Sequence, residues 1–336
     1  MSLRDTLFDY YKSSSLPSYD DLINLIEQCG ALLENEDPSY RPREKNGEHY
    51  SGGLLSFLDN HEKPVIVVPD LHARAYFLWN ILEYKISINS IEISILEALE
   101  QKLIYVICVG DIFHSEMRSF ERWKKAFAHY KNGNILSKEM SDEVLENLNL
   151  LQMIMTLKLN CPQNFHCLKG NHENILNEEG RGNHAFYKMA AEGEMFYRFM
   201  AEKYDDALIY LLSCFEHSLP LCAVFPNLVV SHAEPAFTLN KSKIINYREN
   251  PDVVLALTWT GNNQSETGSV SKSIKNLIGK NLRMVLWLGG HRPVSGRYFK
   301  RQRGKYIQIH NPDEQNIALV QPDVKFNPET NIVSVV

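Results

Sequence analysis

The sequence predicts an α/β fold, and three observations lead to this prediction. The 336 residues are 44% hydrophobic and 23% charged, an ordinary balance for a globular protein with a substantial core. In the first half, short runs rich in Val and Ile alternate with helical patterns, the order expected of βαβ units with a mainly parallel, buried sheet. From residue 221 onward, strand patterns follow one another with few helical patterns between them, which predicts a second, more antiparallel sheet.

The N-terminal segment, residues 1–62, is predicted to be a helical lead-in and not a separate domain. It is polar, its clearer helical pattern is DDLINLIEQCGALL, and a loop-like stretch, NEDPSYRPREKNGEHYSGG, follows that pattern. One larger domain is predicted to occupy residues 63–336.

The elements of this domain follow from hydrophobic periodicity. The first five are a strand in PVIVVPD, a helix in YFLWNILEY, a strand in LIYVICVGD, a long amphipathic helix over residues 138–160 and a strand in NFHCLKGN. Residues 183–218 have helical patterns. The remaining strands are predicted in LCAVF, NLVVSHA, RMVLWLGGH, KYIQIH, NIALVQP and NIVSVV.

Charge and cysteine content narrow the class of protein. The formal net charge of -6 argues against nonspecific binding to nucleic acid, which requires a basic surface. The six cysteines form no C-x-x-C pair and several lie in apolar runs, so we expect buried free thiols in a reducing compartment. Neither a signal-peptide pattern nor a membrane-spanning apolar run is present in the sequence. These features predict a cytoplasmic protein with no membrane partner.

Polar residues of the metal-ligand type follow five of the predicted strands: Asp70 and His72, Asp111, Asn171 and His172, His232, and His291. Ligands bind outside the carboxyl ends of strands in open α/β sheets, so we expect these side chains to converge. Each residue alone has an ordinary explanation as a turn residue or a structural histidine. Core packing does not explain their coincidence at five strand ends. Oxygen and nitrogen donors without thiolates suit Mn, Fe or Zn, and their number suggests two divalent metal ions.

The motifs, in this order, resemble the calcineurin-like metallophosphoesterase superfamily, and specifically its phosphoprotein phosphatase branch. That branch reads Gly-Asp-x-His-Gly, Gly-Asp-x-x-Asp-Arg-Gly, Arg-Gly-Asn-His-Glu, His-Gly-Gly and a later histidine. This chain has PDLHA, GDIFHSE, KGNHE, SHAEP and GGHRP, and the likeness extends over roughly residues 53–320.

The resemblance implies a sandwich of two mixed β-sheets flanked by helices, with a helical insertion at about residues 174–218. It also implies a dinuclear site in which Asp70, His72 and Asp111 hold one metal ion. Asp111 bridges to a second ion, which is also held by Asn171, His232 and His291. His172 is the implied general acid, Glu173 supports a neighbouring group, and a metal-bound hydroxide attacks phosphorus.

The chain departs from the branch at its phosphate-binding positions. His114, Ser115 and Glu116 stand where the branch has Asp-Arg-Gly, so the usual partner of the general acid and one phosphate-binding arginine are missing. Lys169 replaces the arginine before Gly-Asn-His-Glu, and Lys does not reproduce the two-pronged contact of Arg.

Other residues are candidates for these missing roles. We expect Arg292 to bind phosphate, with Lys169 and Arg74 as further substrate-binding candidates and His114 as a further catalytic candidate. A solvated Lys169 and a purely structural His114 are the alternatives.

The sequence therefore predicts a metal-dependent phosphatase for a phosphorylated substrate, a phosphoprotein or a small phosphoester. A serine/threonine protein phosphatase is the more specific hypothesis. Two alternatives stay open. One is a dinucleoside polyphosphate hydrolase, such as a diadenosine tetraphosphate hydrolase, which the forms SHAEP and GGHRPV resemble. The other is a catalytically silent binding module with the same fold.

Overall fold

Two mixed β-sheets lie face to face, and helices cover the outer face of each sheet. This computed structural model describes residues 1–46, 50–279 and 283–336, so residues 47–49 of the predicted N-terminal loop lie outside it. The predicted α/β sandwich of two mixed sheets flanked by helices is confirmed.

The described residues form twelve α-helices: α1 (Leu3–Lys12), α2 (Tyr19–Glu34), α3 (Ala75–Glu83), α4 (Ile95–Glu100), α5 (Phe120–Lys131), α6 (Lys138–Asn160), α7 (Glu192–Lys203), α8 (Asp206–Ser218), α9 (Lys241–Ile245), α10 (Pro251–Thr258), α11 (Ser269–Leu277) and α12 (Pro328–Asn331). Serine N-caps begin several of them, as at α6, where the Ser137 hydroxyl accepts a hydrogen bond from the Met140 amide. Within the described part of the chain, no helix has the length and apolar content needed to cross a membrane.

The same residues form thirteen strands: β1 (Leu54–Ser56), β2 (Val65–Val68), β3 (Lys85–Ile88), β4 (Ile91–Ser94), β5 (Tyr105–Cys108), β6 (Phe165–Cys167), β7 (Cys222–Phe225), β8 (Leu228–Ser231), β9 (Leu286–Gly289), β10 (Phe299–Arg301), β11 (Tyr306–Gln308), β12 (Asn316–Val320) and β13 (Ile332–Ser334). Strands β3 and β4 form a separate hairpin that the sequence analysis did not predict.

The first sheet has the order β13-β12-β2-β5-β6, and its strands β2, β5 and β6 are parallel. The second sheet has the order β1-β7-β8-β9-β11-β10, and its strands β8, β9 and β11 are parallel. Each sheet therefore contains three parallel strands whose carboxyl ends lie along one edge of that sheet.

Strand β2 shows how the two faces of a sheet are buried. Val65 and Val67 point into the core between the two sheets, whereas Ile66 and Val68 pack against the helices on the outer face. All four side chains are buried, which explains a continuous apolar run in place of an alternating pattern.

Two predictions about the second sheet were wrong. Strands β12 and β13 belong to the first sheet, where β12 pairs antiparallel with β2. The second sheet is also not mainly antiparallel, because three of its five pairings are parallel. Helices α9, α10 and α11 lie between the parallel strands β8 and β9 and form the crossover that the sequence analysis missed.

The N-terminal segment packs closely on the larger domain. Helices α1 and α2 contact α6, α2 also contacts α8, and β1 extends the second sheet by pairing with β7. Glu36, which follows α2, is buried and forms ion pairs with Arg41 and Lys158. Residues 1–62 are therefore part of one continuous structure with the sheets.

The predicted helical insertion contains α7 and α8, preceded by an irregular segment from residue 174 to residue 191. Glu192 begins α7, and its carboxylate accepts hydrogen bonds from the Lys188 and Met189 amides. This contact ties the end of the irregular segment to the helix.

Candidate metal centre

The candidate site lies where the parallel strands of both sheets end. Asp70 and His72 follow β2, Asp111 follows β5, and Asn171 and His172 follow β6. His232 follows β8 and His291 follows β9. The structure brings all of these predicted residues to one place, as expected for the carboxyl edges of parallel strands.

Glycines let the loops approach each other at this edge. A Cβ atom on Gly290 would lie 1.8 Å from Asp70 Oδ2, so only glycine fits where the loop after β9 meets the loop after β2. Gly110 has φ +106°, a backbone conformation that other residues rarely adopt, and a Cβ there would lie 2.4 Å from the Gly170 nitrogen.

Glu173 holds two of these loops together. Its carboxylate accepts hydrogen bonds from the amides of Asp111 at 3.0 Å, Ile112 at 2.7 Å and Gly170 at 2.6 Å. Glu173 is buried and thus fixes the two turns that carry Asp111 and Asn171, in line with the expectation that it supports a neighbour.

One group of donor atoms surrounds Asn171. Its Oδ1 atom lies 2.8 Å from His291 Nδ1 and 3.0 Å from His232 Nε2, and the two ring nitrogens are 3.2 Å apart. Asp111 Oδ2 is 3.4 Å from His232 Nε2. We call these four residues the second donor group. Since an amide oxygen only accepts hydrogen bonds, two imidazoles and a carboxylate around it suit a shared cation better than hydrogen bonding alone.

The first donor group consists of His72, Asp70 and Asp111, together with a fourth residue, a histidine that follows β11. The Nδ1 atom of His72 lies 3.2 Å from the Phe113 carbonyl, which leaves Nε2 facing Asp111 Oδ2 at 3.5 Å. Asp70 is oriented by the His291 amide, which donates to its Oδ1 atom at 2.9 Å.

A further member of the first donor group was missed by sequence reasoning. His310 follows β11, and its Nδ1 atom lies 3.5 Å from Asp70 Oδ2. Both ring nitrogens of this buried imidazole lack a hydrogen-bond partner among the described residues. A buried imidazole without partners fits a metal ligand, and the signal was available, because KYIQIH is another predicted strand that ends on histidine.

Burial and mutual proximity shift the ionisation of these groups. Burial raises the pKa of Asp111, and the nearby Glu173 and Asp70 carboxylates raise it further. Burial lowers the pKa of His72 and His232, and burial together with Arg292 lowers the pKa of His291 to about 3. Neutral imidazoles are the form that binds metal, so the donor set fits divalent cations.

His172 lies beside the second donor group and close enough to His72 and Asp111 that these three could also hold a metal ion together. Its Nε2 atom is 3.9 Å from Asp111 Oδ2, and its backbone amide donates to Asp111 Oδ1 at 2.9 Å. The ring packs on Phe186 with centroids 4.0 Å apart and on His114 at 5.3 Å. Burial, followed by the neighbouring His114, lowers the pKa of His172.

His114 takes the place next to His172 that the resemblance assigns to a carboxylate. It stacks between His172 and Trp123, and its Nε2 atom lies 3.8 Å from Glu192 Oε1. It belongs to neither donor group. Its predicted catalytic role stays a prediction, while its contacts are those of a residue that positions His172.

A cavity of about 40 Å³ lies beside Asn171 and His172, large enough for only a few water molecules. Its lining combines aromatic side chains, such as Phe186 and Trp123, with polar ones, such as Glu192. Arg292, which does not line this cavity, is exposed.

The three predicted phosphate-binding residues have different surroundings. Arg292 is exposed beside His291 and lowers the pKa of His291 and His232 by its charge. Arg74 is buried and contacts Glu116 at 3.3 Å. Lys169 is also buried, its ammonium donates to the Glu173 carbonyl, and its neighbours include Glu216 and Glu173. Lys169 is thus not solvated, and its substrate contact stays a prediction.

Several site residues have left-handed backbone conformations. The φ angles are 44° at His72, 51° at Asp111, 76° at His114, 54° at Glu116 and 66° at His291. Residues other than glycine rarely adopt this conformation, and such strain is characteristic of functional sites.

Comparisons with known proteins identify the family. The family model described as calcineurin-like phosphoesterase matches residues 63–295. None of the curated proteins matches the sequence. A Saccharomyces cerevisiae protein serine/threonine phosphatase, with similarity to human phosphatase PP5, has a similar structure, with a TM-score of 0.58 and 14% identity over 99% of this chain and 95% of that chain.

Two other solved structures are less similar. A cold-active protein-tyrosine phosphatase of a Shewanella species has a TM-score of 0.47 and 13% identity, over 84% of this chain and 82% of that one. A putative diadenosine tetraphosphatase has a TM-score of 0.42 and 14% identity, over 84% of this chain and 97% of that one. The family match covers more than half of the chain, which therefore belongs to the calcineurin-like phosphoesterases and is a metal-dependent hydrolase of phosphoesters.

Proposed function

We propose that this protein is a dinuclear phosphomonoesterase and that it acts on phosphoserine or phosphothreonine in proteins. One observation carries the dinuclear part. Asp111 Oδ2 lies 3.5 Å from His72 Nε2 and 3.4 Å from His232 Nε2, so a single carboxylate oxygen belongs to both donor groups. A shared carboxylate is what holds two cations close together.

The residues of each group have distinct roles in the proposal. Asp70, His72, Asp111 and His310 would hold one divalent ion, and Asp111, Asn171, His232 and His291 would hold the other. Mn, Fe and Zn all suit these donors. The two ions, when bound, would supply activation of the attacking water and compensation of phosphate charge.

His172 would deliver a proton to the leaving oxygen. It lies beside Asp111 without being needed to complete either donor group, and its Nε2 atom faces the shared carboxylate. Burial disfavours its charged form, but the negative charge of a bound phosphate favours it. Phosphate binding therefore promotes the protonation state that the departing alkoxide requires.

Arg292 would bind the phosphate. It is exposed next to His291, where a guanidinium can form a two-pronged contact with phosphate oxygens. Because this side chain is exposed, a phosphate carried on a protein substrate could reach it.

The dinucleoside polyphosphate hydrolase finds less support in the site. The glutamate of SHAEP, Glu234, accepts hydrogen bonds from Arg301 at 2.6 Å and Gln302 at 2.8 Å. Glu234 thus has a structural role in holding the chain around β10. A cytoplasmic location is part of the proposal, because all six cysteines are free thiols, as expected in a reducing compartment.

The test is a substrate panel with metal-reconstituted protein. A phosphoserine peptide, p-nitrophenyl phosphate and diadenosine tetraphosphate are compared at equal concentration, before and after chelator treatment. We expect chelator-sensitive release of phosphate from the first two. Preference for diadenosine tetraphosphate would favour the alternative enzyme, and two bound metal ions with no turnover would indicate a silent binding module.

A further inference from the structure

Glu116 places an unassigned carboxylate at the first donor group. Its Oε1 atom lies 3.5 Å from His72 Nε2, the same separation as between His72 Nε2 and Asp111 Oδ2. Its Oε2 atom is 3.9 Å from His310 Nε2. The side chain is only 15% exposed, so it lies within the site.

Arg74 holds this carboxylate in position. Its Nη2 atom is 3.3 Å from Glu116 Oε2, which leaves Oε1 directed toward His72. The Arg74 side chain is 4% exposed and also donates to the Leu71 carbonyl at 3.4 Å. The guanidinium therefore lies inside the site, where its positive charge offsets the negative charge of Glu116.

The backbone at Glu116 is strained. Its φ angle of 54° lies in the left-handed region, and the phosphatase motif has glycine at this position. Glutamate adopts this backbone conformation less readily than glycine does. Strain of this kind persists where the surrounding structure over-determines the conformation.

We propose that Glu116 is an additional ligand of the first metal position, fixed by Arg74. This inference rests on the proposed dinuclear function. The first position would then draw its donors from Asp70, His72, Glu116, Asp111 and His310, whereas the second would draw on Asp111, Asn171, His232 and His291. Carboxylate and imidazole donors of this kind suit Mn²⁺.

The unequal donor sets would have a consequence for the substrate. The second position would have one protein donor fewer and lies next to Arg292, so it would be the more open of the two to phosphate. Glu116 would be the residue that makes the two positions unequal.

Metal binding to the apoprotein tests this inference without any measurement of turnover. Mn²⁺ is titrated calorimetrically into metal-free wild type, Glu116→Gln and Glu116→Gly. We expect one of the two Mn²⁺ ions to bind about tenfold or more weakly in both variants, with the other nearly unchanged. Glu121→Gln, an exposed glutamate on the neighbouring helix α5, is the matched control and should bind as wild type does.

The glycine variant separates a ligand from a structural residue. Glycine adopts the left-handed conformation without strain, which offsets part of the destabilisation caused by leaving Arg74 without its partner, so Glu116→Gly should melt closer to wild type than Glu116→Gln does in the metal-free state. A lower melting temperature with unchanged Mn²⁺ binding would show that Glu116 only pairs with Arg74, and would overturn the inference.

Binding of inorganic phosphate to the Mn²⁺-loaded wild type and variants is the second measurement. If both variants keep wild-type Mn²⁺ affinity and bind phosphate more tightly, Glu116 competes for the substrate position and the inference is wrong. If wild type itself binds fewer than two Mn²⁺ ions, the dinuclear function fails first, and this inference falls with it.

Discussion

Replacing Glu36 with glutamine is expected to destabilise the protein strongly, although the site lies outside the metal centre. Glu36 Oε2 pairs with Arg41 and Oε1 with Lys158, both at 2.5 Å, and His166 Nδ1 lies 3.4 Å from Oε1. All four side chains are 5% exposed or less. Glutamine has the same shape but carries no charge, so the variant leaves two buried cations without their anion.

The magnitude follows from this burial. Removing one partner of a buried ion pair costs about 3–5 kcal/mol, because the remaining charge stays desolvated. Arg41 keeps its carbonyl acceptors, and so does Lys158, which donates to Pro162 and Phe165. Neither cation keeps an anionic partner, so both contribute to the cost. At about 2 °C per kcal/mol for a large domain, the melting temperature should fall by roughly 6–10 °C.

The pH dependence of stability should change as well. Burial opposes the charged form of Glu36, but Lys158, His166 and Arg41 outweigh it and hold the pKa of this carboxyl far below its ordinary value. A carboxyl with a lowered folded-state pKa stabilises the protein above its unfolded-state pKa, and this contribution is lost as the pH falls below that value. Wild type should therefore lose stability in acid more steeply than Glu36→Gln.

Urea and thermal denaturation, followed by circular dichroism from about pH 2 to pH 8, provide the measurement, since the loss occurs below the ordinary carboxyl pKa of about 4.3. Glu34→Gln, an exposed residue at the end of α2, is the matched control and should change stability by less than about 0.5 kcal/mol. Adding Lys158→Met to Glu36→Gln should recover about half of the loss, since it removes the unpaired ammonium. A Glu36→Gln loss below about 1 kcal/mol at pH 7 would refute this reasoning.

Three further predictions concern the metal centre. Wild type should contain two divalent ions and lose activity with chelator. Asp111→Asn should be the most damaging ligand change, because it removes the negative charge between the cations. Elemental analysis showing one ion or none in active protein would contradict this prediction. Arg292→Ala should cost about 1.5–3 kcal/mol in transition-state binding with metal content unchanged, and a full kcat/KM would show that Arg292 does not bind phosphate. His172→Asn should slow hydrolysis of alkyl phosphates by about 10²–10⁴-fold and hydrolysis of p-nitrophenyl phosphate by clearly less, since nitrophenolate leaves without a proton. Equal losses on both substrates, or loss of a metal ion, would exclude the general-acid role.

Local sequence predicted the elements that carry the site and which residues lie at their ends. The helix predicted at residues 138–160 coincides with α6, and the motifs around Asp70, Asp111, Asn171, His232 and His291 all follow parallel strands. The reason is physical, because apolar periodicity marks buried strands and ligand-type residues after them mark their carboxyl ends.

Local sequence did not predict the properties that depend on which elements pair with each other in the folded protein. The apolar pattern of NIALV fits either sheet, and only the open edge of β2 decides that β12 joins the first. The contact of Glu116 with His72 depends on a left-handed turn after β5 that no periodicity reports. His310 differs from these cases, since its strand-end position was visible and only the absence of a matching family motif hid it.

The metal centre and the Glu36 cluster are connected through β6. Lys158 closes the Glu36 cluster from the end of α6, and His166 contributes to it from the middle of β6, five residues before Asn171. Arg41 reaches the Ser218 carbonyl shortly before β7, the neighbour of the strand that ends at His232. Asn171 follows a strand of the first sheet and His232 follows a strand of the second sheet. The order of the second donor group, which contains both residues, therefore depends on how the two sheets pack together. The N-terminal segment contacts the first sheet through the Glu36 carboxylate and extends the second sheet through β1, which makes it a support for the geometry of the site.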